Sequence, residues 1–471
     1  MKLKFGIIVN FGANFFSCAM YKMKLMVSLC CIASVVFRVS AQDAWTLEEC
    51  IRYAYDNNIR LKQQELGVIH AENNLLQSKL NLLPNLNASG SYSSSKGKVL
   101  EQNTFEIIEG ETVNSLSGSI SSGVTLFRGF QQKNAINYNL YSLMAGLQEV
   151  EKLKNDLSIN IALYYLQIIH AQEQLVVAEN QLNLTLLQVE RTATLVEAGS
   201  VPEGNLFEVQ SQAAREELQV VTARNTLEIS RLNLAQLLDL ESQTNFQVVV
   251  PDFSNISILE LTNSVDDLFA KAETTMPEIK AAEYHLKSVE KQLSIARGYR
   301  SPTLTLSGGY NTRYSSSAKR YDPVTLEEIS YPMWDQLRDG VNSYISVGLS
   351  IPIFNGWQVQ TGIKNAKLNV QNYQYMLQLT KNTLCKEIQQ AHADAVASLK
   401  KYVASGKTVA YMEEAFRYTE QRYEVGLVNF VDYSTFKMRL TSAQSELLQA
   451  KFEYIFKTKI LDFYNGQPIT L

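Results

Sequence analysis

Residues whose types and spacing would support chemistry are few, and each group fails a specific requirement. His70, His170, His285 and His392 are the four histidines. They fall in helical stretches and form no HExxH pair, so the two-on-one-face geometry of a zinc hydrolase is missing. Ser93-Ser94-Ser95-Lys96 and Ser316-Ser317-Ala318-Lys319 have the SxxK form of a serine acyl-transferase, a form that serine-rich strand ends generate freely. No glycine-rich phosphate loop occurs. Asp432, Glu203 and Glu208 stand where helices begin, which the helix dipole favours in any protein. These patterns point to no enzyme and call for no cofactor or metal.

The elements that would position such acids are set by a duplication. Val124-Thr125-Leu126-Phe127-Arg128-Gly129-Phe130 corresponds to Ile351-Pro352-Ile353-Phe354-Asn355-Gly356-Trp357, and Val196-Glu197-Ala198-Gly199-Ser200-Val201 to Tyr423-Glu424-Val425-Gly426-Leu427-Val428, both at an offset of 227. Upstream, Leu83-Pro84-Asn85-Leu86 corresponds to Ser301-Pro302-Thr303-Leu304 at an offset of 218, so the second copy carries nine extra residues in a surface loop. Residues 42–262 form the first repeat and 263–471 the second.

Before the repeats, Lys24, the apolar run Leu25 to Phe37 and the small-residue site Val39-Ser40-Ala41 read as a secretory signal peptide over residues 1–41, with Met23 as the alternative start. Leu29 argues against lipid attachment at Cys30. Removal of that segment takes five basic residues and no acid, moving the net charge from −4 to −9. An acidic exported chain is a poor partner for nucleic acid. Cys50 and Cys385 are too few for a disulfide framework and read as small core residues. Beyond Gln42 no stretch approaches the roughly 20 apolar residues of a membrane helix, so any membrane span must be made of strands.

Each repeat opens with a helix: Thr46 and Glu49 form a capping-box pattern, with a break near Asn57-Asn58 and an end at Pro84. The period then falls to two. Strands are expected at about 86–94 and 115–126, and again at 303–311 and 343–352, with Leu, Ile, Val and Tyr alternating with Ser, Thr, Asn and Gly. Four strands cannot close a barrel, which needs about eight at least; an oligomer is required. Helical hairpins follow at about 130–240 and 357–463. In the first, Ile161, Ile168, Leu175, Leu182, Val189 and Val196 recur every seven residues, a coiled-coil seam. A seventy-residue helix spans roughly 100 Å, more than a compact domain needs. Gly199 and Gly426 supply left-handed caps at the two tips.

Over essentially the whole mature chain these landmarks resemble the outer membrane efflux proteins, the TolC-like channels. The resemblance rests on Thr46-Leu47-Glu48-Glu49-Cys50, Leu83-Pro84-Asn85-Leu86, Phe127-Arg128-Gly129, Phe354-Asn355-Gly356 and Tyr423-Glu424-Val425-Gly426-Leu427, in the order helix, two strands, long hairpin, performed twice. It implies an α+β membrane protein in the cell outer membrane: a homotrimer whose twelve strands form one β-barrel among outer-membrane lipids, continued by a helical barrel across the periplasm. It further implies a periplasmic adaptor and an inner-membrane pump of the RND or ABC type. The function implied is passive exit from a tripartite efflux pump, or alternatively from a type I protein secretion system.

By motif position Tyr423 matches the family's tip tyrosine and Asp432 its first gate acid, whereas the family's arginine falls on Val428 and its second acid on Thr435. Glu203 and Glu208 are the candidates for the missing charge. Ala198, Gly199, Ser200, Val425, Gly426 and Leu427 are the expected adaptor contacts. Phe127, Phe130, Phe354 and Trp357 are expected at the periplasmic membrane interface. A trimeric surface-anchored coiled-coil fibre is the remaining alternative, but it would gather its strands at one end of the chain.

Overall fold

The computed structural model describes residues 44–100, 107–108, 110, 112–240, 246–251, 264–324 and 327–470. The signal-peptide segment and the junction between the repeats lie outside them. The first repeat contains α1 (Leu47–Asn57), α2 (Ile59–Leu80), β1 (Asn85–Lys96), β2 (Val99–Leu100), β3 (Ile107–Ile108), β4 (Thr112–Arg128), α3 (Gln131–Glu197) and α4 (Glu203–Leu237). The second contains α5 (Val265–Thr275), α6 (Pro277–Gly298), β5 (Thr303–Ser315), β6 (Lys319–Tyr321), β7 (Glu328–Ser330), α7 (Met333–Asp339), β8 (Asn342–Ser350), α8 (Gln358–Glu424) and α9 (Phe430–Tyr464). Helices α1 and α2 reappear as α5 and α6 at an offset of 218, and α3 and α4 as α8 and α9 at 227.

Local chemistry explains the boundaries. The Thr46 hydroxyl accepts from the Glu49 N–H while the Glu49 carboxylate accepts from the Thr46 N–H, a complete capping box. Asn58 then ends α1 and caps α2 through its Oδ1. Its Nδ2 donates to the Leu237 carbonyl and the Asp239 carboxylate accepts from the Ile59 N–H, so α4 and α2 meet end to end alongside α3. Helix α2 stops at Leu80, three residues before the Leu83 expected from Pro84 alone. Helix α4 likewise stops at Leu237 rather than near 240.

The core sits halfway along the rods. Ile161, Tyr165, Ile168 and Ile169 of α3 pack on Leu47, Cys50 and Ala54 of α1, Leu234 of α4 and Phe452 of α9. The Tyr165 hydroxyl reaches the carbonyl oxygens of Trp45 and Val249 at 3.0 and 2.6 Å. The second repeat has its counterpart in Leu268, Ala272, Ile279, Leu384 and Ile388. Cys50 is a core residue whose burial pushes its thiol pKa up to about 12; Cys385 is only partly buried. Of the histidines, His170 is half-buried against Phe452, and His285 bonds Glu149 at 2.8 Å.

The strands β1, β4, β5 and β8 form one antiparallel sheet in that order. Strand β4 runs from 112 to 128, longer at both ends than the alternation suggests: residues 112–114 pair with Ser94–Lys96, and a bulge between Thr125 and Phe127 lets the strand continue past the change of period. Strand β8 closes at Ser350, before Pro352. The connections expected as plain loops carry structure of their own: β2 pairs with β3, β6 with β7, and α7 docks on β5 through Gln336, which bonds the N–H and carbonyl of Ser315.

Candidate functional site: a two-faced sheet and two hairpin tips

The register divides the sheet into two unlike faces. Leu86, Tyr92, Leu116, Ile120, Val124, Leu306, Tyr310, Ile345 and Val347 share one face; Asn87, Ser89, Ser91, Ser117, Ser119, Ser121, Ser307, Asn311 and Ser346 share the other. The apolar face is not a core: Leu86 is 76% exposed, Ile345 85% and Leu349 63%. A wide exposed apolar face needs an apolar solvent or a partner. The edges of the sheet, β1 and β8, have no strand partner within the described residues of the chain, and unpaired edges cannot stand in lipid. Among the described residues no helix is long and apolar enough to cross a membrane.

At the end nearest the long helices, strand passes to helix through two consecutive left-handed residues in each repeat: Gly129 and Phe130 with φ of 57° each, Gly356 and Trp357 with 59° and 63°. Phe130, Phe354 and Trp357 are exposed, and Phe127 meets Phe130 edge to face at 5.6 Å. Gly129 is indispensable on packing grounds, since a Cβ there would lie 2.5 Å from the Gly298 carbonyl oxygen.

At the far end the two hairpins turn alike. Gly199 (φ 69°) and Gly426 (φ 77°) end α3 and α8, and the N–H groups of Ser200 and Leu427 return to the carbonyls of Leu195 and Arg422, the Schellman pattern. Ala198, Ser200, Val425 and Leu427 are exposed around them. The entry to the returning helices differs. Asn429 caps α9 by accepting from the Asp432 N–H at 2.8 Å, whereas Pro202 leads into α4 with no side-chain cap. Asp432, Glu203 and Glu208 are all exposed.

Tyr423 is the expected tip residue with the most contacts. Its hydroxyl accepts from Gln188 Nε2 at 3.1 Å, joining α8 to α3, and its ring stacks on Tyr433 at 4.7 Å. Burial raises the Tyr423 phenol, with the Glu208 carboxylate adding to the effect and Gln188 and Arg191 opposing it. Tyr423 joins the two hairpins, while Glu203, Glu208 and Asp432 lie exposed near the starts of α4 and α9. Arg191 approaches Glu424 at 3.9 Å, more than half exposed, a contact of little energetic weight.

A cluster that sequence reading missed lies further from the tips. Lys437 of α9 donates to Thr185 of α3 at 2.6 Å and lies 3.7 Å from Glu216 of α4. Thr185 and Gln212 donate to the Glu216 carboxylate. Lys437 and Glu216 are 7% and 3% exposed, and burial lowers the Lys437 pKa against the pull of Glu216. A signal for it exists in the duplication. At an offset of 227 Thr185 corresponds to Met412 and Glu216 to Ala443, so polar side chains occupy seam positions that are apolar in the other copy.

A lipid-compatible sheet that only an oligomer can close, joined to paired rods about 100 Å long, defines a class: an oligomeric outer-membrane channel with a helical extension. The sequence profile of the outer membrane efflux protein family matches residues 50–239 and 268–456, and the chain belongs to that family. It is 22% identical over 433 residues to outer membrane protein TolC of Vibrio cholerae, covering 92% of this chain and 93% of that one. It is 20% identical over 416 residues to toxin and drug export protein A of Aggregatibacter actinomycetemcomitans, covering 87% and 83%. The fold superposes on a crystal structure of CusC with a TM-score of 0.73 at 19% identity, covering 91% of this chain and 95% of that one. The chain is an outer-membrane efflux channel of the TolC type, its strands belonging to a trimeric barrel and its hairpins to the periplasmic tunnel.

Proposed function

We propose that three copies close their sheets into one twelve-stranded barrel and conduct solutes passively outward, loaded at the hairpin tips by a periplasmic adaptor and an inner-membrane pump of the RND or ABC type. The observation that carries the reading is the four-stranded sheet, apolar and exposed on one face, hydroxyl-rich on the other and unpaired at both edges among the described residues. The chain makes and breaks no bond; a pump would set the cargo. The test is dye retention in a deletion strain with and without this gene, with secreted proteins compared in parallel. Retention that falls on complementation supports small-molecule efflux. Unchanged dye with a missing secreted protein selects the type I secretion reading; the name of the Aggregatibacter relative, a toxin and drug export protein, covers both.

In this reading Asp432, Tyr423, Glu203 and Glu208 line the constriction, and the turns around Gly199 and Gly426 meet the adaptor. Recording on Asp432→Asn channels should show reduced cation selectivity; unchanged selectivity would leave Asp432 a plain first-turn acid. A Gly426→Trp chain should assemble but fail to transport, because nothing lies within 4 Å of Gly426 inside the chain.

A further inference from the structure

Strand β5 outruns its neighbour at the loop end of the sheet. Strand β8 begins at Asn342, opposite Asn311, whereas β5 continues through Thr312 to Ser315. Helix α7 occupies the place a longer β8 would take. The Ser315 N–H donates to Gln336 Oε1 at 2.9 Å and Gln336 Nε2 donates to the Ser315 carbonyl at 3.0 Å, while the Thr312 hydroxyl donates to the Leu337 carbonyl at 2.6 Å. The side-chain amide of Gln336, 4% exposed, thus pairs with Ser315 as the peptide of an antiparallel neighbour would. At about 100° per residue, Trp334 and Arg338 lie on the side of α7 opposite Gln336. Trp334 is 74% exposed, and Arg338 is held by Asp335 and Asp339. That side of α7 points away from β5, as the free edge of β8 does.

The strand that would meet this free edge is longer than β8. Strand β1 spans twelve residues, Asn85–Lys96, and β8 nine, Asn342–Ser350. Both join the helical part beside a proline, Pro84 or Pro352. With those ends level, β8 of one copy pairs with β1 of the next as far as Ser93 and leaves the last three residues of β1 without a strand. We propose that α7 closes this gap in the seam between copies, with Trp334 lying across Ser94 and Ser95 of the next copy and its indole N–H donating to a carbonyl of that edge. An unpaired strand edge offers backbone acceptors, and a tryptophan covers apolar surface while its one N–H seeks a partner. Gln336 already satisfies the β5 edge in the same manner, side chain to strand backbone. The occupant is a second copy because α7 continues the line of β8, whose edge that copy closes. The inference rests on the closed barrel of the proposed function and adds a contact that the strands themselves do not supply.

The test combines Trp334→Cys with Ser93→Cys, Ser94→Cys or Ser95→Cys in turn, in a Cys385→Ser background, on the purified full-length protein. A short bismaleimide is the linker, since loss of the indole leaves a gap wider than a disulfide spans. At least one pair should run as cross-linked dimer and trimer after boiling in SDS, and each single variant as monomer. Where a cysteine pair prevents assembly, the temperature at which the trimer dissociates in SDS decides: Trp334→Ala should lower it, and Trp334→Phe should lower it less. Channel recording separates the two levels of failure. A conducting trimer that cross-links in none of the three pairs overturns the docking and leaves the closed barrel standing, as does cross-linking of Trp334→Cys alone, which would set α7 near the threefold axis. An unsubstituted chain that neither assembles nor conducts overturns the barrel, and the docking with it.

Discussion

Lys437 and Glu216 show how one buried pair couples hairpins from different halves of the chain. Removing one partner strands the other charge out of water, at a cost of about 3–5 kcal/mol. Lys437→Met should therefore lower the thermal midpoint of the assembled protein sharply. Adding Glu216→Leu should restore much of it, because an apolar pair of similar volume carries no desolvation penalty. Equal loss in single and double variants would show that the two charges are not coupled. The pH dependence has a definite sign. With its pKa lowered by burial, Lys437 releases its proton more readily folded than unfolded. Stability should rise as pH climbs from that lowered value towards the ordinary 10.5, where the unfolded chain holds more protons. Lys437→Met should flatten the rise.

At the scale of the elements, two glycines with nearly the same φ are predicted to behave differently. Gly199→Ala meets open space and costs only the left-handed backbone penalty, roughly 1–2 kcal/mol. Gly129→Ala adds a Cβ 2.5 Å from backbone oxygen and 2.6 Å from Ser301, so the α6 end must move away from the strand-to-helix junction. The yield of detergent-resistant assembly should fall for Gly129→Ala and hold for Gly199→Ala. Sequence reading located both glycines from the repeat, but only as caps and landmarks. It found the long helices, the tips and the two-faced strands because period, caps and proline are local. It did not find the left-handed Phe130 and Trp357, since nothing in an aromatic side chain announces φ above zero. Nor did it find α7, which is tied to β5 by Gln336 reaching Ser315 across the loop. The Lys437 cluster was missed for a similar reason, being assembled from three helices far apart in the chain.

For the whole molecule, the duplication specifies how copies should meet. Within the chain α3 of the first repeat packs along α6 of the second, with Ser142 Oγ 3.0 Å from Ser288 Oγ and Gly129 against Gly298. Helix α8, the repeat-mate of α3, packs on α6 and α9 but has no such contact with α2, the repeat-mate of α6, among the described residues. Both faces that this leaves open are apolar: Leu66, Ile69 and Leu76 of α2 and Leu368, Tyr375 and Leu379 of α8 are half or more exposed. If successive copies reproduce between chains the contact made within each chain, the ring closes through α8 of one copy on α2 of the next, and the sheet edge β8 meets the neighbour's β1. Carrying Ser142 forward by 227 and Ser288 back by 218 gives Asn369 and His70. A chain with His70→Cys and Asn369→Cys, in a Cys385→Ser background, should form disulfides between copies on mild oxidation and run as cross-linked dimer and trimer after boiling in SDS. Each single variant should remain monomeric under the same treatment, with Cys50 shielded in the core. Absence of cross-linking in a double variant that assembles normally would mean that the interface between copies does not repeat the interface inside the chain.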